Sequence, residues 1–317
     1  MKLQVLIDEY ISFKRSLGYK YKTNEHVLRW FNRHTGIDVK LEEICRENVS
    51  KFLDGSGPLT RTWHVKYNAL SGLYRYAITR RYVKERPLPL VIPKQPPTIT
   101  PYIYTVSEIK RLLVAADTYQ KNRSATEPIT VHTMILLIYG AGLRPHESVT
   151  LLAKDVDLFN RVITVRDSKF GKSRVLPIGT QLASALIDYS NQRKMQKYPQ
   201  SNDMPFFSDR AGNAVNLDTF RGIFQRVRTH ANIYRTDGAK YPPRLHDLRH
   251  TFAVHRLVSW YREGRDVQKL LHPLSIYLGH VKLVDTQVYL SMTPELLAEA
   301  NARFQQYALE EICDETN

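Results

Sequence analysis

Residues 245–257 read LHDLRHTFAVHRL. Leu245, Leu248, Phe252, Ala253, Val254 and Leu257 mark a buried helical face, yet His246, Arg249 and His250 stand at its start. A buried charge is costly unless something pairs with it, so an anion or a metal should meet this turn. His246 and His250, four residues apart, share a helix face and can bind zinc. The zinc-protease signature, however, needs Glu after the first His, and here that position is Asp247. Arg249 would also stand beside the dication, which Coulomb repulsion opposes. No metal and no cofactor is therefore expected. Phosphate fits better. His246 and Arg249 share a face, and the guanidinium fork matches two phosphate oxygens at any working pH. Arg144 precedes Pro145, a good first helical residue, so it lies beside free backbone N–H groups at a positive dipole end. Two arginines far apart in the chain can clamp one phosphate. The bland alternative is that each pairs with a carboxylate, and Glu147 and Asp247 are at hand.

The bulk composition points the same way. A chain of 317 residues is long enough for two domains. Its net charge of +15 favours a polyanionic partner. The two cysteines, Cys45 and Cys313, lie in no metal-type spacing and suit a reducing cytoplasm. The start MKLQVLIDEY lacks a signal-peptide pattern, because Asp8 and Glu9 interrupt it. The longest apolar helical stretch, around MILLIYGAGL, is too short to span a bilayer. Nucleic acid, not membrane, is the expected partner.

The elements that must position these residues fall into two parts. The run RPLPLVIPKQPPTITP (86–101) carries six prolines and reads as an extended connection. Before it, TWHVKYNALSGLYRYA places Trp63, Tyr67, Leu70 and Tyr74 on one helical stripe, read as core. Lys66, Arg75, Arg80 and Arg81 fall largely off that stripe and make a basic face. Residues 1–95 hold 18 Lys and Arg against 9 Asp and Glu, more than half of the whole excess. A basic helical segment of this kind suggests a grip on phosphates. After the prolines, Thr105 and Glu108 form a capping box ahead of a helix. Residues 130–142 read as a buried helix ending at Gly142, and a helix follows Pro145 through SVTLL. Two β-rich runs in VITVRDSKFGKSRVLPI flank a turn with Gly171, which predicts a hairpin. Helices return from about 180. The expected architecture is mainly α with a small antiparallel sheet: a helical domain over 1–95, a linker over 96–103 and a second domain over 104–317.

Four segments together resemble the tyrosine recombinase (phage integrase) family. Ala141, Gly142, Leu143, Arg144 and Glu147 match its A-G-L-R-x-x-E box, and Lys169 in SKFGKSRVLPI matches its hairpin lysine. His246, Leu248, Arg249, His250, Thr251, Phe252 and Ala253 match H-x-L-R-H-[TS]-F-A, and L-G-H at His280 is followed nine residues later by Tyr289, with Thr286 in place. The resemblance covers about 104–300, and the basic N-terminal part looks like the family's core-binding domain, which together would make a two-domain DNA clamp. His146 departs from the Ser or Thr common at that position. Lys172 lies in the same turn as Lys169, but the family pattern K-x-x-K-x-R puts the catalytic lysine first.

The resemblance implies a site-specific recombinase in which Tyr289 attacks a DNA phosphate and forms a 3′-phosphotyrosine, leaving a free 5′-hydroxyl. Arg144, Arg249, His246 and His280 would hold the phosphate, His246 being also the candidate to accept a proton; Lys169 would protonate the leaving oxygen, and Glu147 and His250 would support them. It further implies a homo-tetramer on double-stranded DNA with inverted-repeat sites, room for accessory proteins, a mobile-element context and a cytoplasmic, nucleoid-associated location. A type IB topoisomerase shares the chemistry, and a catalytically silent DNA-binding relative is the non-enzyme reading; the LGH…Y spacing and the complete residue set fit them less well. The segment 294–312 has an apolar stripe through Leu296, Leu297, Ala300, Phe304 and Leu309, and in the family such a C-terminal helix often docks on a neighbouring subunit.

Overall fold

The computed structural model describes residues 1–97, 99–118, 124–166, 173–195, 201–291, 297–302 and 304–305. The backbone divides into two compact units, Met1–Ile99 and Thr100–Asn317.

The first unit contains α1 (Leu3–Ser16), α2 (Lys22–Thr35), α3 (Arg46–Asp54) and α4 (Arg61–Thr79). Each buries one stripe, and Leu6, Leu28, Phe31, Phe52, Leu70 and Tyr74 meet in a common core. The predicted aromatic stripe on α4 is there: Trp63, Leu70 and Tyr74 are buried and Tyr67 is half-buried. The proline-rich run does not hang free of this unit. Leu88 joins the core, and Pro93 O meets His64 Nε2 at 2.8 Å. One expectation is overturned: Lys66 is not on a basic surface but 5% exposed. Its ammonium donates to Phe52 O and lies 4.3 Å and 4.5 Å from the Trp30 and Phe52 ring centres. The four-carbon stem packs like an aliphatic chain while carbonyl and ring faces replace water around the charge.

In the second unit, Thr105 and Glu108 exchange backbone and side-chain bonds of 2.9 Å and 3.2 Å, as the capping box requires. They open α5 (Val106–Thr118), which packs on α6 (Pro128–Ala141). Val131, Met134, Ile135, Leu137 and Ile138 of α6 are all inaccessible, so this helix is apolar on most sides and forms the middle of the core. α6 ends at Gly142 in the left-handed region, φ 61°. A Cβ there would approach Phe252 Cδ1 to 2.5 Å, so only glycine fits. The chain turns into α7 (Pro145–Val149), shorter than the sequence suggests; β1 (Val156–Asp157), β2 (Val162–Val165) and β3 (Arg174–Pro177) follow. They form one antiparallel sheet in the order β1-β2-β3, with Val165 opposite Arg174 at the end where the chain passes from β2 to β3. The rest is α8 (Thr180–Met195), α9 (Leu217–His230), α10 (Asp247–Arg262), α11 (Val267–Leu278), α12 (Val284–Gln287) and a 3-10 turn, Val288–Ser291. Among the described residues, no helix is long and apolar enough to cross a membrane.

Candidate active site

The site is assembled at helix ends. Arg144 caps α7: its backbone N–H donates to Glu147 Oε2 (2.9 Å), the acceptor that the first turn carries three residues on. Its guanidinium donates to Glu147 Oε1 (2.7 Å) and to Gly279 O (2.8 Å). Thus the carboxylate pairing open to Arg144 in the sequence is made, while its side chain keeps about a quarter of its surface exposed. Glu147 also receives both terminal nitrogens of Arg174, at 2.9 Å and 2.8 Å. Burial by itself would raise the Glu147 carboxyl, but the bonds from Arg174 and Arg144 overcome it and hold the group at about 2. Glu147 is a fixed anion that sets two guanidinium groups at once.

Arg249 is treated differently. It is 1% exposed and, among the described residues, forms no ion pair with a carboxylate; its terminal nitrogens donate to Gly142 O (2.7 Å) and Leu278 O. Those carbonyls are free because α6 and α11 end there, leaving their last C=O groups without helical partners. Burial first, then the nearby Arg144 charge, pushes the guanidinium down to about 10, still charged at neutral pH. Asp247, the other carboxylate in reach by sequence, is instead taken by Arg244 at 2.7 Å.

Three imidazoles surround the same point. The His246 and His250 rings stand edge to face, 5.0 Å apart, at the start of α10. His280 follows the left-handed Gly279 at the end of α11, and its Nδ1 lies 2.7 Å from Thr286 Oγ1. Burial, with the adjacent cations, lowers His246 to about 3 and His250 and His280 to about 4, so all three are neutral at pH 7. Tyr289 is in the 3-10 turn, 2% exposed, with its hydroxyl 3.1 Å from His250 Nδ1 and its ring roughly parallel to that of His280. Burial raises its phenol, and Arg249 and Arg144 pull it the other way.

The structure therefore brings Arg144, Glu147, His246, Arg249, His250, His280 and Tyr289 into one cluster. Lys169 lies outside the described residues, as does the turn with Gly171 and Lys172. His250, expected only to support the others, touches the phenol directly. Arg174 is the residue that sequence reasoning passed over. Its Nε donates to Tyr277 O (2.9 Å), and Gly279 leaves room for it, since a Cβ there would meet the Arg174 side chain at 3.1 Å. The signal was present as the last letter of K-x-x-K-x-R. Chemically, the cluster offers fixed cations and neutral imidazoles around a single phenol, a place for an anion next to a nucleophile.

Residues 103–295 match the phage integrase family. A protein of Sinorhizobium fredii named as an integrase/recombinase, y4rB, is 33% identical over 308 residues, 95% of this chain and 96% of the relative. The tyrosine recombinase XerC of Bacillus subtilis is 28% identical, over 84% of this chain and 83% of its own. The fold is similar to the Tn1549 transposon integrase in complex with transposon right end DNA, with a TM-score of 0.67 at 17% identity, over 97% of this chain and 100% of that one. It is also similar to a lambda integrase tetramer bound to a Holliday junction, with a TM-score of 0.68 at 16% identity, over 91% and 77%. The chain belongs to the phage integrase family of tyrosine recombinases. It is a site-specific recombinase, an enzyme that cleaves and rejoins DNA; neither a topoisomerase nor a silent DNA-binding relative is favoured.

Proposed function

We propose that Tyr289 is the nucleophile and that the surrounding cluster is built for one DNA phosphate. The observation that carries this reading is the Tyr289 hydroxyl held 3.1 Å from a neutral His250 nitrogen, with Arg249 and Arg144 acting on it. Arg144 and Arg249 neutralise the phosphate and the charge that grows on it in the transition state. His246 and His280 donate to its non-bridging oxygens. As Tyr289 Oη bonds to phosphorus, its proton passes to His250 Nδ1, whose basicity rises when the phosphate anion arrives. The bond from phosphorus to the 5′-oxygen breaks, and Lys169 supplies that oxygen with a proton. The product is a 3′-phosphotyrosine and a 5′-hydroxyl. Phosphodiester energy is kept in the link, so neither ATP nor a metal ion is required. A 5′-hydroxyl from a second duplex reverses the step and exchanges strands.

The basic residues of the first unit support a phosphate grip there, and the DNA complexes named above support double-stranded DNA with paired sites as the substrate. The lambda integrase tetramer on a Holliday junction supports a tetramer for this chain too, and the transposon integrase supports a mobile-element role. A cytoplasmic location suits such a substrate. Of the segment 294–312, Leu297 and Phe304 are exposed and the remaining stripe falls largely outside the described residues; docking on a neighbouring subunit is the reading we favour for it.

Nicked suicide DNA tests the nucleophile. Tyr289→Phe should bind with wild-type affinity and leave no adduct on a denaturing gel; an adduct at wild-type level would sink the assignment. Lys169→Ala should slow cleavage by about 10²–10⁴-fold, the range for loss of a general acid. A 5′-thio leaving group, which needs no proton, should restore most of that loss. No restoration would give Lys169 another job.

A further inference from the structure

Beside the cluster lies a cavity of about 580 Å³ whose walls include Arg144 and His246. Arg221, Gln225 and Arg228 line it from one face of α9, spaced four and three residues apart, and Arg244 enters from the chain ahead of α10. Its described lining holds four arginines and no carboxylate. Three of the four have an acid at their backs, each at 2.7 Å: Arg144 with Glu147, Arg221 with Asp218, Arg244 with Asp247.

Arg228 has none. Among the described residues no carboxylate comes within ion-pair distance of it, although it is only 6% exposed. Its Nη1 donates to Pro243 O (2.9 Å), and its buried Nε has no acceptor. A guanidinium that has left water without gaining either a counter-ion or a full set of acceptors is a standing cost to the fold. A bound anion removes that cost, and a tetrahedral oxyanion suits the planar donor fork.

We propose that this cavity is a second phosphate subsite, which receives a DNA backbone phosphate neighbouring the reacting one, with Arg228 as its inner donor and Arg221 at its mouth. The inference rests on DNA cleavage at Tyr289 as read above. The shared walls decide the source of the phosphate: a strand held at Arg144 and His246 passes the cavity entrance, and its next charge meets uncompensated Arg228. Holding two consecutive phosphates fixes the strand against sliding and rotation, so the reacting phosphorus stays in line with the phenol.

The test uses the full chain and nicked duplexes, containing a site the wild-type protein cleaves, with single neutral methylphosphonates at each phosphate flanking the scissile one. At one flanking position, neutralisation should weaken wild-type binding by about tenfold or more, the effect of losing one hydrogen bond to a charged group. That penalty should vanish in Arg228→Gln and shrink in Arg221→Gln. Arg221 is mostly exposed, so its variant and the DNA modifications carry the test if Arg228→Gln does not fold. Equal penalties in wild type and variants, or no flanking penalty at all, overturn the subsite. So does a melting-temperature rise with inorganic phosphate that needs Arg228 and has no methylphosphonate counterpart, which would assign the cavity to a free anion. The two kinds of failure separate cleanly. No adduct on unmodified DNA sinks the cleavage reading and the subsite together, while an adduct without a flanking penalty sinks the subsite alone.

Discussion

Lys66 in the first unit and Arg249 in the second are both buried cations, at 5% and 1% exposure, and they are held in opposite ways. Burial lowers the Lys66 ammonium, but a carbonyl and two aromatic faces enclose it, groups that favour its charge, and Asp54 adds to them. Arg249 also has its carbonyls, but burial and then the neighbouring Arg144 oppose its charge, and Glu147, held by Arg144 and Arg174, offsets them only in part. One arrangement is closed. The other gains stability only when an anion arrives. Burial of a cation is therefore not in itself a sign of function; burial among like charges is.

Replacing each cation is the most forceful way to break that contrast. Arg249→Lys cannot reach two carbonyls and a phosphate together, and adduct formation on nicked DNA should fall by about 10²–10³-fold, as for loss of a transition-state donor. Lys66→Met should keep the wild-type rate at saturating DNA and alter only the melting temperature, by a few degrees for about 1 kcal/mol. A wild-type rate in Arg249→Lys would remove the distinction.

A smaller effect is expected at Glu147, which sharpens the comparison by releasing the like charges. Glu147→Gln should reduce adduct formation by about tenfold, since one charge-assisted anchor is worth roughly 1.5–3 kcal/mol. Its stability signature has a definite sign. The carboxyl is held at about 2 in the fold against an ordinary 4.5, so its contribution is complete above pH 4.5 and is lost as pH falls towards 2. Urea titrations should show wild type ahead of the variant by on the order of a few kcal/mol at pH 7. That gap should close on acidification.

The smallest change concerns the imidazoles. His246, His250 and His280 are depressed to about 3, 4 and 4 from an ordinary 6.5, so the unfolded chain takes up protons before the folded one. Stability should be flat above pH 6.5 and decline from there to about pH 4. A His250→Gln variant should decline less steeply between pH 7 and 5 in the same titration. Identical slopes would mean that His250 is not held neutral.

Much of this site was legible because its parts sit where local pattern and residue type disagree. Arg144 before a helix-opening proline, Gly142 closing α6 and His246 and Arg249 at the head of a buried helix each stand out within a few residues. Arg174 did not, because in a short strand an arginine reads as a solvent-facing residue. Its bond to Glu147 spans 27 positions, and that to Tyr277 spans 103. Lys66 was misplaced for a related reason: helical period put it off the apolar stripe, but nothing local foretold the Trp30 face or the Phe52 carbonyl. The approach of His250 to Tyr289 likewise depends on how α10 and the 3-10 turn pack, 39 residues apart. The isolation of Arg228 also depends on packing, since the fold alone decides that its Nε is buried without an acceptor.

The most direct measurement isolates the covalent adduct formed on nicked suicide DNA, digests protein and DNA, and locates the nucleotide-bearing peptide by mass spectrometry. The chain has 19 tyrosines, so the position is a real choice. The result predicted here is a single 3′-phosphonucleotide on Tyr289, with a free 5′-hydroxyl on the released strand. A phosphonucleotide on any other residue, or a 5′-linked one on Tyr289, would contradict the account.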